Sequence, residues 1–546
     1  MRLLDFLTAE TDLRSTRVIV MSTLAGSANA MVVVIINNVA QDFSELNFRS
    51  LLMFSLCILL YVVTKKYSLY ETATTVRTAM YRANMRISDK IRRTSLMSLE
   101  TIGKTQIYTT MAENTEIVYE ASRKMVNGIS QIVMLVFCFI YIAILSMTAF
   151  WFSIAMIGSA VLIYILNQKK ISEGLRAAAN KEGEYFDTMN HILEGFKEIK
   201  MNVKKSEDLL RNYLEKISRS TKELQIGTEN RVIANYIFIQ IFFYILLGSI
   251  VFVLPQTSSV TVKVVGQITA VILFIIGPLG NVVEAIPLIL KANMSLERFD
   301  NLEKLLEDSD DMKHTAPDAI LRSKETFDAI TLKRVIFTYP ETPAKQSFTV
   351  GPIDLTIKRG EVVFLVGGNG SGKTTLLKIL TGLYYPQSGT IMVDDIAVNM
   401  TNYAYYRDLI AVIFTESHVF DRLYGIDDVD EIKLNELINM MELVDKTSYV
   451  EGKFTDIKLS TGQRKRLALI ESLMENRAVY VLDEVAADQD PHFRKYFYDN
   501  ILRKMQSEGK TIIAATHDDK YFYVADRVLK MDYGKITEDR HHGQHK

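Results

Sequence analysis

The run Gly367-Gly368-Asn369-Gly370-Ser371-Gly372-Lys373-Thr374 has the residue types of a phosphate cradle. Its glycines let successive backbone N–H groups wrap an anion, Lys373 reaches terminal phosphates, and the Thr374 hydroxyl is a hard oxygen donor for Mg²⁺. The phosphate-contacting set is Gly367, Asn369, Gly370, Ser371, Gly372, Lys373, Thr374 and Thr375. A second constellation, Val479-Tyr480-Val481-Leu482-Asp483-Glu484, is an apolar strand ending in two carboxylates. Adjacent side chains at a strand end point in different directions, so Asp483 can serve Mg²⁺ through water while Glu484 faces an attacking water as general base. His517 follows the apolar run Thr511 to Ala515, where it can touch the terminal phosphate or position that water. The chemistry implied is Mg²⁺-assisted hydrolysis of a nucleoside triphosphate.

These residues need a scaffold, and the flanking sequence supplies one. Glu361 to Val366 reads as a buried strand before the glycine loop, and Thr375 to Leu380 as a helix after it. Strand, loop and helix N-terminus are the context in which such a loop binds phosphate. From about Asp300 onward, short β-branched runs alternate with helical patterns, which predicts an α/β domain over 326–546. The acidic stretch Glu303 to Asp311 and Pro317 lead into it, with a linker over 316–325.

The rest of the chain is of another kind. Across 546 residues, 48% are hydrophobic and 23% charged, with 63 Lys+Arg against 64 Asp+Glu, which excludes a disordered chain and a strongly basic nucleic-acid binder. Two cysteines exclude a disulfide framework, and Cys57 and Cys138 read as apolar fillers. The averages conceal charge-free runs, Val18 to Gln41, Met125 to Gln168, Val232 to Val262 and Val264 to Val283. A bilayer core takes about 20 helical residues. The Met125 run must therefore fold back near Ser146 to Ala149. Six spans follow, over 18–39, 50–66, 127–146, 149–168, 232–254 and 264–290, within a membrane domain of residues 1–315. The fifth ends at the breaker Pro255-Gln256-Thr257-Ser258-Ser259. Segments 65–128 and 167–231 are rich in Lys and Arg while the opposite loops offer only Arg49 and Lys263, so both termini and both long loops are expected in the cytoplasm. Loops of that length, poor in Gly and free of Pro, are expected to continue the spans as helical hairpins. Ala28-Asn29-Ala30 has the form of a cleavage site, but Asp5, Glu10 and Asp12 make the leading segment unlike a signal peptide. Leu3 to Leu13 reads instead as an interfacial amphipathic segment, too short for a peptidase domain.

The glycine loop, the sequence Leu459-Ser460-Thr461-Gly462-Gln463 before the basic run Arg464-Lys465-Arg466, the Asp483-Glu484 strand end and His517 occur together in one order and spacing. With six spans ahead of them, they give a chain that resembles an ATP-binding cassette (ABC) half-transporter of the exporter type over nearly its whole length. The fold implied is a six-helix transmembrane domain of the type IV exporter kind followed by an α/β nucleotide-binding domain. The resemblance implies that Tyr339 stacks on adenine, that Ser460, Gly462 and Gln463 meet ATP held by the opposite chain, and that Asp490 ends the loop crossing to that partner. It implies ATP and Mg²⁺ as ligands, and a homodimer in the bacterial inner membrane, or a heterodimer with a similar chain.

Two departures from the family pattern stand out. Thr415, in Ile413-Phe414-Thr415-Glu416, replaces the usual glutamine; its hydroxyl is assigned to Mg²⁺, with Glu416 as the alternative sensor. Glu451 to Asp456 replaces the acidic glycine-containing segment that often precedes the signature. Segments Phe414 to Gly425 and Leu193 to Lys200 are similar to parts of bacterial cyclic-peptide and siderophore-peptide exporters, which implies a peptide-like cargo. A lipid flippase or multidrug exporter with the same engine is the alternative; an importer and a sensing ATPase use the same residues. Polar residues within spans are expensive in lipid. Asn37, Asn38, Asn235, Gln240 and Glu284 are therefore candidates to line the cargo path, Glu284 equally a solvated surface carboxylate. His541 to His545 reads as a solvated tail with weak metal capacity.

Overall fold

A computed structural model describes residues 14–40, 48–257, 260–307, 327–340 and 347–541, with Leu3, Asp5, Phe6 and Thr8 ahead of them. The linker at 316–325, the end of the breaker, most of the amphipathic N-terminal segment and the histidine-bearing tail beyond His541 lie outside the described residues. The chain forms two compact units, one of Met1–Asp89 with Lys104–Leu305, the other of Lys90–Gly103 with Leu306–Lys546.

The first unit is helical. Its long helices are α1 (Arg14–Val39), α2 (Phe48–Arg93), α4 (Lys104–Leu145), α5 (Met147–Glu194), α7 (Val203–Gln256) and α8 (Val262–Glu307), with the short α6 (Phe196–Lys200) between α5 and α7. Each long helix contains a window apolar and long enough to cross a membrane, six among the described residues. At 1.5 Å per residue the 46-residue α2 is about 69 Å long, more than twice the hydrocarbon thickness. The chain reverses between α4 and α5 at Ser146, whose hydroxyl caps α5 by accepting the Ala149 N–H at 3.3 Å. Helix α7 carries π turns at Leu209–Leu214 and Ser249–Val253 and continues through Pro255.

Buried side chains hold these helices together. Ala30 and Val33 of α1, Met134 and Ile142 of α4, Phe243 and Ile250 of α7, and Ile268 and Ile272 of α8 form one cluster. Much of the remaining apolar surface, such as Leu51, Leu59 and Phe252, is exposed. That is the expected state of helices whose solvent is lipid.

The second unit is α/β. A six-stranded sheet has the order β12-β11-β3-β10-β9-β6, from β3 (Val362–Val366), β6 (Ile410–Ile413), β9 (Val479–Asp483), β10 (Thr511–Ala515), β11 (Arg527–Asp532) and β12 (Lys535–His541). All pairings are parallel except β11 with β12. Every residue of β9 and β10 is buried, as the continuous apolar runs require of central parallel strands covered on both faces. A smaller antiparallel sheet, β2-β1-β4-β5, joins β1 (Ala329–Thr338), β2 (Thr349–Lys358), β4 (Ser388–Val393) and β5 (Ile396–Val398). The helices that matter for the site are α9 (Lys373–Leu380), α10 (Thr461–Glu475) and α11 (Pro491–Tyr496).

One segment of the sequence-derived membrane half belongs with this second unit. Helix α3 (Leu96–Ile102), N-capped by Ser95, packs Leu96 and Met97 against the core built on β1, β3 and α9. Glu100 accepts the Tyr384 hydroxyl at 2.6 Å and pairs with Lys378 Nζ at 2.9 Å. Apolar anchors and a carboxylate facing a cation and a phenol outweigh chain proximity to the spans.

Candidate functional site

The glycine loop lies between β3 and α9. Gly367 has φ +152, and a Cβ there would stand 2.3 Å from the Met531 carbonyl oxygen, so the loop can enter its turn only as glycine. Asn369 and Gly370 form an exposed turn at its tip. Ser371 is buried, and its Oγ has no hydrogen-bond partner. An orphaned hydroxyl in a ring of backbone N–H groups, at the start of a helix, is poised for an anion's oxygen. Gly372, in a left-handed conformation, caps α9, which begins at Lys373.

Lys373 is 6% exposed, and its Nζ donates to the Gly367 and Gly368 carbonyls at 2.9 and 3.2 Å. Burial lowers its ammonium below the ordinary lysine value, opposed by the charges of Glu484 and Asp483. Thr375 is buried and its Oγ1 lies 3.1 Å from the Tyr339 hydroxyl. The Tyr339 ring meets Phe337 and Tyr384 edge-on, at 5.2 and 5.8 Å between centroids. Tyr384 in turn stacks on Phe337 at 4.9 Å, and burial together with the Glu100 carboxylate pushes its phenol up. The aromatic wall beside the loop is thus braced from α3.

Asp483 ends β9 fully buried. Its Oδ2 accepts from Thr374 Oγ1 at 2.9 Å and Thr415 Oγ1 at 3.1 Å, whereas Oδ1 has no partner. Burial raises its carboxyl above the ordinary range, and the two hydroxyl bonds oppose that rise. One carboxylate with an unsatisfied oxygen and two hydroxyls is an all-oxygen set that fits Mg²⁺, a hard cation that draws its other ligands from phosphate and water. Thr415, assigned to Mg²⁺ from sequence, makes this contact, although it is exposed like Glu416.

Glu484 follows with φ +52, a left-handed conformation that few non-glycine residues adopt. Its N–H donates to the Ala515 carbonyl at 3.1 Å, and its Oε1 lies 3.1 Å from His517 Nε2. That same nitrogen is 3.3 Å from Lys373 Nζ. Strands β3, β9 and β10 are adjacent in the sheet, which is why three residues 33 to 144 positions apart meet at their ends.

At the signature segment, Ser460 N-caps the 15-residue α10 in a capping box: its Oγ accepts the Gln463 N–H at 3.4 Å and Gln463 Oε1 accepts the Ser460 N–H at 3.1 Å. Gly462 packs so closely on the loop after Glu484 that a Cβ would lie 2.6 Å from the Asp488 carbonyl oxygen. Asp490 N-caps α11 through His492 and Phe493 N–H and pairs with Arg466 at 2.7 Å. The basic run of α10 divides by direction. Arg466 crosses Phe493 at 3.6 Å and bonds Gln489 Oε1 at 2.8 Å, while Lys465 turns inward and is buried. Sequence reasoning missed Lys465 because adjacent basic residues on a helix read alike until a core claims one of them.

A family model described as ABC transporter matches residues 350–487, from β2 through the glycine loop and signature to the segment after Glu484. "ATP-binding protein SyrD" of Pseudomonas syringae pv. syringae is 30% identical over 534 residues, covering 94% of this chain and 92% of that protein. The chain belongs to the ABC transporter family. This transporter binds ATP with Mg²⁺ and is an ATP-hydrolysing, multi-pass membrane protein. Its fold matches the structure of a bacterial Atm1-family ABC exporter with ATP bound, with a TM-score of 0.78 at 17% identity, over 97% of this chain and 96% of that one. The ATP-dependent lipid A-core flippase of Bordetella avium is 28% identical, over only 40% of this transporter and 37% of the flippase.

The polar residues of the transporter's spans are mostly engaged with one another. Asn37 is buried and donates to the Gln267 carbonyl at 3.1 Å, Asn38 accepts from Tyr141 at 2.8 Å, and Asn235 accepts from Asn167 at 3.0 Å. Glu284 pairs with Lys124 at 3.2 Å and its side chain is 53% exposed. Bonds between helices satisfy polar groups that lipid would leave bare, although the Nδ2 of Asn235 is buried without a partner. Gln240 lines a narrow cleft with Tyr236 and Tyr244.

Proposed function

We propose that this protein exports a cyclic or otherwise modified peptide from the cytoplasm across the bacterial inner membrane, as a homodimer driven by ATP. The observation that carries this reading is a cavity of about 460 Å³ in the helical unit, bounded by α4, α5, α7 and α8. Ile117, Leu175, Val232 and Met294 give it apolar walls, and Glu182, Glu229, Lys291 and Arg298 place both signs of charge around them. Apolar lining with a few placed charges of both signs suits a compact molecule that is part apolar and part zwitterionic, as a modified peptide is. The cavity sits next to the inner ends of the fifth and sixth spans, where the basic loops put the cytoplasm.

The engine follows from the site. Lys373 holds the terminal phosphates and the loop N–H groups, with Ser371, wrap them. Asp483, Thr374 and Thr415 would hold Mg²⁺, which would neutralise phosphate charge as the γ-phosphoryl group is transferred and ADP leaves. Glu484 takes the proton of the water that attacks the γ-phosphorus, while the bond to the β-phosphate oxygen breaks. His517 orients Glu484, and Tyr339 stacks on adenine. Ser460, Gly462 and Gln463 of a second, identical chain close over the nucleotide at the N-terminus of its α10, whose dipole favours the anion. ATP moves the membrane helices only through its different affinity for the closed and open arrangements.

Transport into inverted membrane vesicles tests the reading. ATP-dependent uptake of a cyclic peptide, and stimulation of ATP hydrolysis by that peptide, are expected. Stimulation by lipids or cationic drugs with none by peptides points to a flippase or multidrug exporter built on the same engine.

A further inference from the structure

Lys465 is 2% exposed, on the face of α10 turned to the end of β9. Its Nζ donates to the Glu484 carbonyl oxygen at 2.8 Å and pairs with Asp488 at 2.7 Å. The same carbonyl accepts the Ala487 N–H at 3.2 Å, so Glu484 is gripped at its oxygen by two donors and at its N–H by Ala515. Its left-handed backbone is thereby held against its own preference. The contact is continuous with the signature. Gln489 Nε2 donates to the Gly462 carbonyl at 3.0 Å, and Gly462 has no room for a Cβ against Asp488.

We infer that Lys465 is a positioning residue for ATP hydrolysis: its buried Nζ, clamped between the Glu484 carbonyl and Asp488, fixes the orientation of the general base and ties it to the signature helix. This rests on the assignment of Glu484 as the base. A cation at this place acts in two ways. It supplies a charge-assisted hydrogen bond that the backbone needs at φ +52. It also ties that carbonyl to Asp488 on the loop that follows, against which the signature residue Gly462 packs. The described bonds of Lys465 go to Glu484 and Asp488, so its loss is expected to act on the base more than on nucleotide affinity.

The test uses the purified full-length transporter in lipid and the variants Lys465→Met, Lys465→Gln, Lys465→Arg and Glu484→Gln. Lys465→Met is expected to lower kcat by roughly 10- to 100-fold, the range for losing a charged hydrogen bond, with KM for ATP and nucleotide affinity within about twofold of the parent. Lys465→Arg is expected to recover most of the rate. Lys465→Gln, which keeps a donor of similar volume, covers the case in which Met does not fold, with an expected loss of about 3- to 10-fold. Adding Lys465→Met to Glu484→Gln is expected to cost no further activity, since both remove one function.

Turnover of Lys465→Met and Lys465→Gln within twofold of the parent overturns the proposal. So does a parallel loss of kcat, nucleotide affinity and thermal stability that Lys465→Arg does not rescue, which marks a purely structural lysine. If Glu484→Gln itself turns over at the parental rate, the base assignment fails, and that result is separate from either outcome at Lys465.

Discussion

His517 Nε2 stands 3.1 Å from Glu484 Oε1 and thereby links the carboxylate at the end of β9 to the loop after β10. One nitrogen cannot donate to that carboxylate and accept from Lys373 Nζ, 3.3 Å away, at the same time. With Nε2–H given to Glu484, Lys373 rests on the Gly367 and Gly368 carbonyls, and it must exchange these for phosphate oxygens when nucleotide arrives. Glu484, proposed as the base, His517 and Lys373 thus form one linked set.

Glu484→Gln keeps the shape and removes the proton acceptor. The variant is expected to bind ATP normally, to retain it in a closed dimer and to lose at least about 100-fold in turnover, the lower end of the range for general-base catalysis. Steady-state phosphate release and retention of labelled ATP on gel filtration check this.

His517→Ala removes the bridge without touching the metal set. Turnover is expected to fall by roughly 10- to 100-fold with nucleotide affinity within about threefold, a loss of orientation and not of binding. Hydrolysis and nucleotide-binding titrations on one preparation separate the two.

Thr415→Val removes one of the two hydroxyls that bond Asp483 Oδ2. The Mg²⁺ concentration for half-maximal hydrolysis is expected to rise by about 10- to 100-fold, in line with loss of one oriented oxygen. Glu416→Ala is expected to leave it within about twofold. The reverse order would assign the sensing role to Glu416.

Glu471 supplies the pH dependence. It lies in α10 and accepts the Phe420 N–H at 3.2 Å, and burial pushes its carboxyl up to about 7 from 4.5, with Glu475 adding to the rise and the Phe420 bond opposing it. A carboxyl whose folded pKa is raised contributes stability that is full below about 4.5 and is lost as pH rises through about 7. Glu471→Gln keeps the acceptor for Phe420 and abolishes the titration. Its melting temperature is expected to exceed the parent's at pH 8 and to approach it at pH 5. A constant difference across that range would show that Glu471 does not titrate there.

The chemistry was legible in the sequence because it resides in short contiguous runs. Phosphate-cradling glycines, Lys373 and Thr374 lie in one loop, and Asp483 and Glu484 are neighbours. The apolar helices were legible because the demand of a bilayer for about 20 uncharged residues acts on each segment by itself. Asn37, Asn38 and Asn235 read as candidates for a cargo path because their cost in lipid is local, while their bonding partners, the Gln267 carbonyl, Tyr141 and Asn167, come from other helices, and Asn235 keeps one unpartnered nitrogen.

The sequence by itself determined the two kinds of fold, the nucleotide-binding loop, the carboxylate pair and the histidine that follows, since each depends on residue type and spacing within a few positions. Tertiary structure alone decided that α3 belongs with the α/β unit, that Thr415 and not Glu416 reaches Asp483, and that Lys465 faces Glu484 while Arg466 lies over Phe493. The first is a choice of which core a helix joins, and the other two are choices between adjacent residues. Only the burial and hydrogen bonding available at a packed position distinguish them.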